Sequence, residues 1–127
     1  MAVPRILVVD DFEDLRKLLA FYLGARGYEV IEAATGKAAI DTAIRKNPNF
    51  ILLDLCLPDM NGVEVARSLQ NLPETKPIPI VGWTADDCKS KRVQDALLSA
   101  GILGSIQKPA LLKELEAAID RFLLKEH

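Results

Sequence analysis

The chain has 127 residues, half of them hydrophobic, and a formal net charge of -2. This length suits one domain around a single core, and we predict one domain over residues 1–127. Sixteen basic residues against 18 acidic ones leave no overall positive charge that would attract nucleic acid or an anionic membrane. We therefore expect neither direct nucleic-acid binding nor membrane association.

No apolar run approaches the roughly 20 residues of a membrane-spanning helix, and the N-terminus lacks the pattern of a secretory signal. We therefore expect a cytoplasmic protein. Cys56 and Cys88 form no CxxC or Cys/His cluster, which argues against a disulfide framework or a zinc site. His127, the only histidine, is the last residue, which argues against a serine or cysteine nucleophile with a histidine base.

Short, β-branched apolar runs recur along the chain, and they are typical of strands covered on both faces. These runs lie at residues 5–9, 30–31, 51–53 and 78–81. A fifth strand near residues 104–107 is weak in composition. It is placed there because two helices flank it at the spacing of a repeating strand–helix unit.

Amphipathic segments separate the strands, and each predicts a helix. The first carries apolar residues at helical spacing, namely Leu15, Leu18, Leu19, Tyr22 and Leu23, and should end near Gly27. A second helix is predicted over 36–46 with Thr35 as its N-cap, and a third begins at Asn61 and Gly62 and ends before Pro73.

Two more helices are predicted, over residues 88–100 and 110–125. The apolar face of the fourth helix consists of Val93, Ala96, Leu97 and Ala100. The apolar face of the fifth consists of Leu111, Leu115, Ile119 and Phe122. Five alternations of strand and helix predict an α/β, three-layer (βα)5 fold with a parallel sheet and helices on both faces.

Polar residues follow the predicted strands at their carboxyl ends, where open parallel sheets bind ligands. They are Asp10 and Asp11 after strand one, Asp54 after strand three, Thr84 after strand four and Lys108 after strand five. If strands one and three are neighbours, the three carboxylates converge. One lysine cannot neutralise them, and hard oxygen ligands without histidine or a cysteine cluster favour Mg²⁺.

Four motifs in order carry a family resemblance: "VVDD" (8–11), "LLDLCLPDMNG" (52–62), "WTA" (83–85) and "KP" (108–109). Together they resemble the bacterial two-component response-regulator receiver domain, of the single-domain, chemotaxis-regulator-like kind, over essentially the whole chain. The resemblance implies a flavodoxin-like fold with strand order 2-1-3-4-5. It also implies that Asp54 accepts a phosphoryl group from a phosphohistidine on a sensor histidine kinase or histidine phosphotransfer protein.

The resemblance also implies roles for the other site residues. Asp11 and Asp54 would bind Mg²⁺ directly, Asp10 would act partly through metal-bound water, and the backbone carbonyl of Cys56 would complete the protein ligands. Lys108 would pair with Asp54 or its phosphate. By the same resemblance, the chain would be a signalling phosphoacceptor that assists its own phosphorylation and dephosphorylation, and it would not be an enzyme in the ordinary sense.

Thr84 would be the switch residue, whose hydroxyl bonds a phosphoryl oxygen and changes a surface that binds a downstream protein. Trp83 beside it is expected to pack under a helix and not in the acidic site, since neighbouring strand residues point to opposite faces. Ser105 stands where many members of the family have an aromatic residue or histidine. That departure leaves the usual output mode open.

Two alternatives have different sequence signatures. The departure at Ser105 motivates a phosphorylation-independent interaction module built on the same fold. A haloacid-dehalogenase type phosphatase would also use an aspartyl nucleophile after strand one. It is disfavoured because Asp10 is followed by Asp11, Phe12 and Glu13, so the DxD spacing of that family is absent.

Overall fold

The computed structural model describes residues 3–84, 91–108 and 112–125. The strands are β1 (Arg5–Val9), β2 (Glu29–Ala33), β3 (Phe50–Asp54), β4 (Ile80–Thr84) and β5 (Ile102–Gln107). The helices are α1 (Glu13–Ala25), α2 (Gly36–Lys46), α3 (Gly62–Gln70), α4 (Lys91–Ser99) and α5 (Leu112–Lys125). Within these ranges, no helix combines the length and apolarity needed to cross a membrane.

All five strands are parallel and lie in the order β2-β1-β3-β4-β5. The predicted α/β fold and strand order are therefore confirmed. In the centre of the sheet, Val9 is paired in register with Leu53, and Asp54 with Trp83. The carboxyl ends of β1, β3 and β4 therefore meet along one edge.

The core has two halves, one on each face of the sheet. One half joins the sheet to α2, α3 and α4 through residues such as Ala43, Leu69 and Leu97. The other joins it to α1 and α5 through Leu19 and Ile119. Burying one large apolar side chain contributes about 1.5–3 kcal/mol, so both helical layers are stabilised mainly by the sheet that they cover.

Local signals define both ends of α2 and the start of α3, at the positions predicted. The Thr35 hydroxyl accepts a hydrogen bond from the Ala38 backbone N–H at 3.1 Å, and Asn47 ends α2 in the left-handed conformation. Asn61 and Glu64 form a capping box at the start of α3, in which each side chain accepts from the other residue's backbone N–H. Both helices are thus determined by short sequence patterns.

The predicted apolar faces of α1 and α4 are too wide. Leu18 is 50% exposed and Val93 is 37% exposed, and Ala96 is also exposed. Helix α4 buries Leu97, and Ala100, the residue after its last turn, is also buried. A short helix at the side of the sheet contacts the sheet through only a narrow stripe of side chains.

The predictions for α5 and β5 are confirmed where the structure describes these elements. Leu115 and Ile119 of α5 are buried as predicted. The side chains of Leu111 and Phe122 lie outside the described part of the structure, as do Cys88 and His127. β5 is present and begins at Ile102, two residues before the predicted start.

Candidate functional site

The carboxyl edge of the sheet brings Asp10, Asp54 and Lys108 into direct contact. Asp10 follows β1, Asp54 ends β3 and Lys108 follows β5. The Lys108 ammonium lies 2.7 Å from Asp10 Oδ2 and 3.3 Å from Asp54 Oδ2. Because alternate residues of a strand share a face, all three side chains extend the face that packs against α1 and α5.

Asp11 completes an acidic cluster with Asp10 and Asp54. Each of the three residues offers one carboxylate oxygen, and these oxygens lie within 4.8 Å of one another. Asp10 and Asp54 are buried, with 0% and 4% exposure, whereas Asp11 is exposed. Three carboxylates with one ammonium leave an excess of negative charge, and their hard oxygen donors fit a divalent cation such as Mg²⁺.

The environment of Asp54 makes its negative charge unfavourable. Burial is the main cause that raises the pKa of Asp54 above its usual value, and the charge of Asp10 adds to the effect. The Cys56 backbone N–H donates to Asp54 Oδ1 at 2.9 Å, and this bond and the Lys108 charge oppose the rise without cancelling it. A cation or an added electrophile at Asp54 would relieve this excess of charge.

Asp10 is held from two sides. Its Oδ1 accepts from the Phe12 backbone N–H at 2.9 Å, and its backbone carbonyl accepts from Arg16 Nη1 at 2.8 Å. Arg16 is itself fixed by Glu32 of β2, whose Oε1 accepts from Nε at 3.1 Å. Sequence reasoning missed Arg16, because its role depends on a partner in another element.

Thr84 and Lys108 are linked through the backbone, since the Lys108 N–H donates to the Thr84 carbonyl at 2.6 Å. Thr84 is 3% exposed and lies at the same edge of the sheet as Asp54. Its role as a switch stays a prediction, and residues 85–90 that follow it lie outside the described part.

Trp83 packs in the core half under α1 and α5, as predicted, with 3% exposure. The prediction that Trp83 lies outside the acidic site is wrong, because the Lys108 ammonium lies over its ring, 5.5 Å from the ring centroid. As the register partner of Asp54, Trp83 points to the same face of the sheet. Its indole N–H is buried without a hydrogen-bond partner among the described residues, a state that typically costs about 1–3 kcal/mol.

The structure also describes the surroundings of Cys56 and Ser105, which the sequence analysis singled out. Cys56 is an exposed free thiol in the loop after β3, and its backbone borders Asp54. Ser105 of β5 accepts a hydrogen bond from Gln94 of α4 at 2.9 Å. This bond ties α4 to β5 at the position where the sequence departs from the family pattern.

Asp59 connects the loop after β3 to α2, which sequence reasoning also missed. Its carboxylate accepts from the backbone N–H groups of Gly36 at 2.8 Å and Lys37 at 3.0 Å. These bonds at the positive end of the helix lower the pKa of Asp59. A β-carbon at Gly36 would collide with the Met60 side chain, so the loop and helix are closely packed.

We expect Asp59→Asn to destabilise the protein in a pH-dependent way. A carboxyl whose pKa is lowered by folding stabilises the native state above its unfolded pKa of 3.8, and this stabilisation disappears as the pH falls through the folded value. The difference in unfolding free energy between wild type and Asp59→Asn should therefore be largest at neutral pH. Urea unfolding at neutral and acidic pH measures it, and a pH-independent difference would contradict the charge effect.

The fold and the site together define a class of protein. It is a doubly wound α/β domain with a carboxylate cluster and a lysine at the carboxyl edge of its central strands. The family model described as the response regulator receiver domain matches residues 6–120. The chain therefore belongs to the response regulator receiver domain family.

Relatives of known sequence agree with this assignment. The chain is 43% identical over 105 residues to the response regulator PleD of Caulobacter vibrioides, covering 83% of this chain and 23% of that protein. It is 36% identical over 121 residues to the phosphate regulon transcriptional regulatory protein PhoB of Rhizobium meliloti, covering 95% of this chain and 52% of PhoB. The chain thus spans about a quarter of PleD and about half of PhoB.

Solved structures of single receiver domains match at nearly full length. A CheY-like receiver domain protein from Methanospirillum hungatei superposes with a TM-score of 0.89 at 28% identity, covering 98% of this chain and 96% of that one. Chemotaxis protein CheY4 of Vibrio cholerae gives a TM-score of 0.88 at 28% identity, covering 94% and 98%. That one domain spans residues 1–127 stays a prediction.

Proposed function

We propose that the chain is the phosphoacceptor of a two-component phosphorelay, in which Asp54 receives a phosphoryl group from a partner phosphohistidine. The observation that carries the proposal is the buried Asp54 carboxylate, which lies beside two other aspartates and the ammonium of Lys108. The donor would be a sensor histidine kinase or a histidine phosphotransfer protein. The phosphorylated chain would then pass the signal to a downstream protein.

The transfer needs no protein base, because the Asp54 carboxylate is already an anionic nucleophile. One of its oxygens forms a bond to phosphorus while the phosphorus–nitrogen bond to histidine breaks, and the imidazole nitrogen keeps that electron pair. Cys56 N–H fixes one carboxylate oxygen, Oδ1, and Lys108 faces the other, Oδ2. Lys108 would then pair with an equatorial oxygen of the phosphoryl group.

A divalent cation would bind next to the nucleophile. Asp11, Asp54 and the backbone carbonyl of Cys56 would hold Mg²⁺ directly, and Asp10 would act partly through bound water. The ion would supply positive charge against the phosphoryl oxygens. The exposed position of Asp11 and the short distances between the three carboxylates support this ligand set.

Incubation with Mg²⁺ and a small phosphodonor tests the proposal directly. Intact mass spectrometry should show the addition of one phosphoryl group, and peptide mapping should place it on the peptide that contains Asp54. A chelator in place of Mg²⁺ should strongly reduce the addition. A wild-type mass that does not change with Mg²⁺ and donor would contradict the proposed function.

A second candidate function, an interaction module that does not depend on phosphate, is favoured by the hydrogen bond between Gln94 and Ser105. This bond could hold α4 on β5 whether or not Asp54 is modified. Beryllofluoride, a phosphoryl mimic, separates the two functions. Shifts in the backbone NMR signals of residues 91–107 support a phosphate-dependent surface, and unchanged signals despite bound beryllofluoride support the second candidate.

A further inference from the structure

The ammonium of Lys108 has a neighbour that carries no charge. Besides Asp10 and Asp54, the face of the Trp83 ring lies 5.5 Å from it. This separation is within the distance at which a cation is attracted to the negative face of an aromatic ring. Three groups at the carboxyl ends of β1, β3 and β4 therefore surround one ammonium.

The sheet register explains why the ring reaches the acidic site. Asp54 and Trp83 are paired across β3 and β4, and Ile106 of β5 is the next partner of Trp83. Lys108 lies two residues beyond Ile106, which places its side chain on the same face of the sheet. Trp83 is 3% exposed, so water does not screen its ring, and attraction between a cation and a ring is strongest in such surroundings.

A neutral ring restrains the lysine differently from a carboxylate. The ammonium already lies closer to Asp10 than to Asp54, and another acidic partner would draw it further from the nucleophile. The ring attracts the ammonium without adding a negative charge to a cluster that already has an excess. It can therefore orient Lys108 while the Asp54 carboxylate keeps its charge.

We propose that Trp83 is a positioning residue, whose ring holds the Lys108 ammonium beside Asp54 for contact with the incoming phosphoryl group. The effect on phosphoryl transfer rests on the function proposed above. The contact between ring and ammonium is a property of the unmodified protein, so it can be tested without metal or phosphodonor.

Trp83 is the only tryptophan of the chain, so fluorinated tryptophan can be incorporated at this one position. Fluorine weakens the negative face of the ring stepwise and changes its size little. We would prepare the full chain with tryptophan and with mono-, di- and trifluorotryptophan, each with Lys108 and as Lys108→Met. Urea unfolding in the presence of a chelator then gives the unfolding equilibrium constant for every protein.

With Lys108 present, each added fluorine should favour unfolding, by about three- to tenfold in the equilibrium constant across the series. The Lys108→Met series should be flat, since methionine has no charge to attract. Equal slopes in the two series would overturn the proposal, because the fluorines would then act through packing alone.

The rate of Asp54 phosphorylation by a small donor provides the second measurement. It should fall by about three- to tenfold across the fluorinated series with Lys108. Trp83→Phe, which keeps a ring, should retain more of the rate than Trp83→Leu, and a higher rate for Leu would contradict positioning. If the protein with ordinary tryptophan takes up no phosphate, the proposed function fails. The unfolding comparison in the presence of a chelator still decides whether the ring holds the lysine.

Discussion

Asp54→Asn should abolish phosphoryl uptake and, at neutral pH without metal, make the protein more stable. The amide is not a nucleophile, so no aspartyl phosphate can form at this position. Stability should rise because burial and the Asp10 charge both disfavour the Asp54 carboxylate, and asparagine removes its charge. We expect a gain of about 0.5–2 kcal/mol, the range common for stabilising single substitutions.

Intact mass spectrometry and urea unfolding with a chelator measure the two effects on the same preparations. Asp41→Asn, an exposed position on α2, is the matched control and should change neither. Phosphoryl uptake by Asp54→Asn would mean that another residue is the acceptor. A loss of stability would mean that the ion pair with Lys108 outweighs the unfavourable burial of Asp54. Together, the expected results would show that keeping the nucleophilic carboxylate at position 54 lowers the free energy of unfolding.

The sequence predicted the sheet well because strand and helix signals alternate without interruption. The ends of α2 were predictable because Thr35 and Asn47 act on backbone groups a few residues away. β5 was harder to place, since Gly104 is of a type depleted in strands, and Ser105 and Gln107 are not among the types enriched there. Its pairing with β4, and not its own composition, accounts for the strand that the structure contains.

The exposed sides of the helices were less predictable. Apolar periodicity indicates which face of a helix turns inward, but the width of the buried stripe depends on the neighbouring helices. Leu18 and Val93 belong to the predicted faces and yet remain largely or partly exposed. Their positions could be judged only from the arrangement of the layers.

The acidic site was partly predictable for a topological reason. Parallel strands place their carboxyl ends at one edge, so Asp10, Asp54 and Lys108 could be expected to meet. Arg16 and Asp59 could not be found in this way, because their partners lie 16 and 23 residues away in the chain on separately folded elements. Short sequence patterns carry no information about such contacts.

Trp83 shows how a correct local rule can give a wrong conclusion about the site. Alternation does turn Trp83 and Thr84 to opposite faces, and the indole is buried in the core as expected. The missing information was the register between β3 and β4, which makes Trp83 the partner of Asp54. The face that packs under α1 and α5 is also the face that continues into the acidic site.

Asp11→Asn should weaken Mg²⁺ binding more than Asp10→Asn. Both changes remove one negative charge, but the two aspartates differ in what already occupies their oxygens. Asp10 accepts from the Phe12 N–H and from the Lys108 ammonium, whereas the exposed Asp11 carboxylate has no hydrogen bond to any described residue. We expect a loss in affinity of about 10–100-fold for Asp11→Asn, at least the size seen when groups around a metal are altered.

Calorimetric titration of each variant with Mg²⁺ measures the difference in affinity. Asparagine at position 10 can still accept from the Phe12 N–H, so the comparison changes charge while it keeps this local bond. Asp41→Asn serves again as the control for loss of one negative charge far from the cluster. Equal losses for the two variants would mean that the ion responds to the total charge of the cluster. A larger loss for Asp11→Asn would mean that the open carboxylate is the direct ligand, and that Asp10 mainly holds Lys108 beside it.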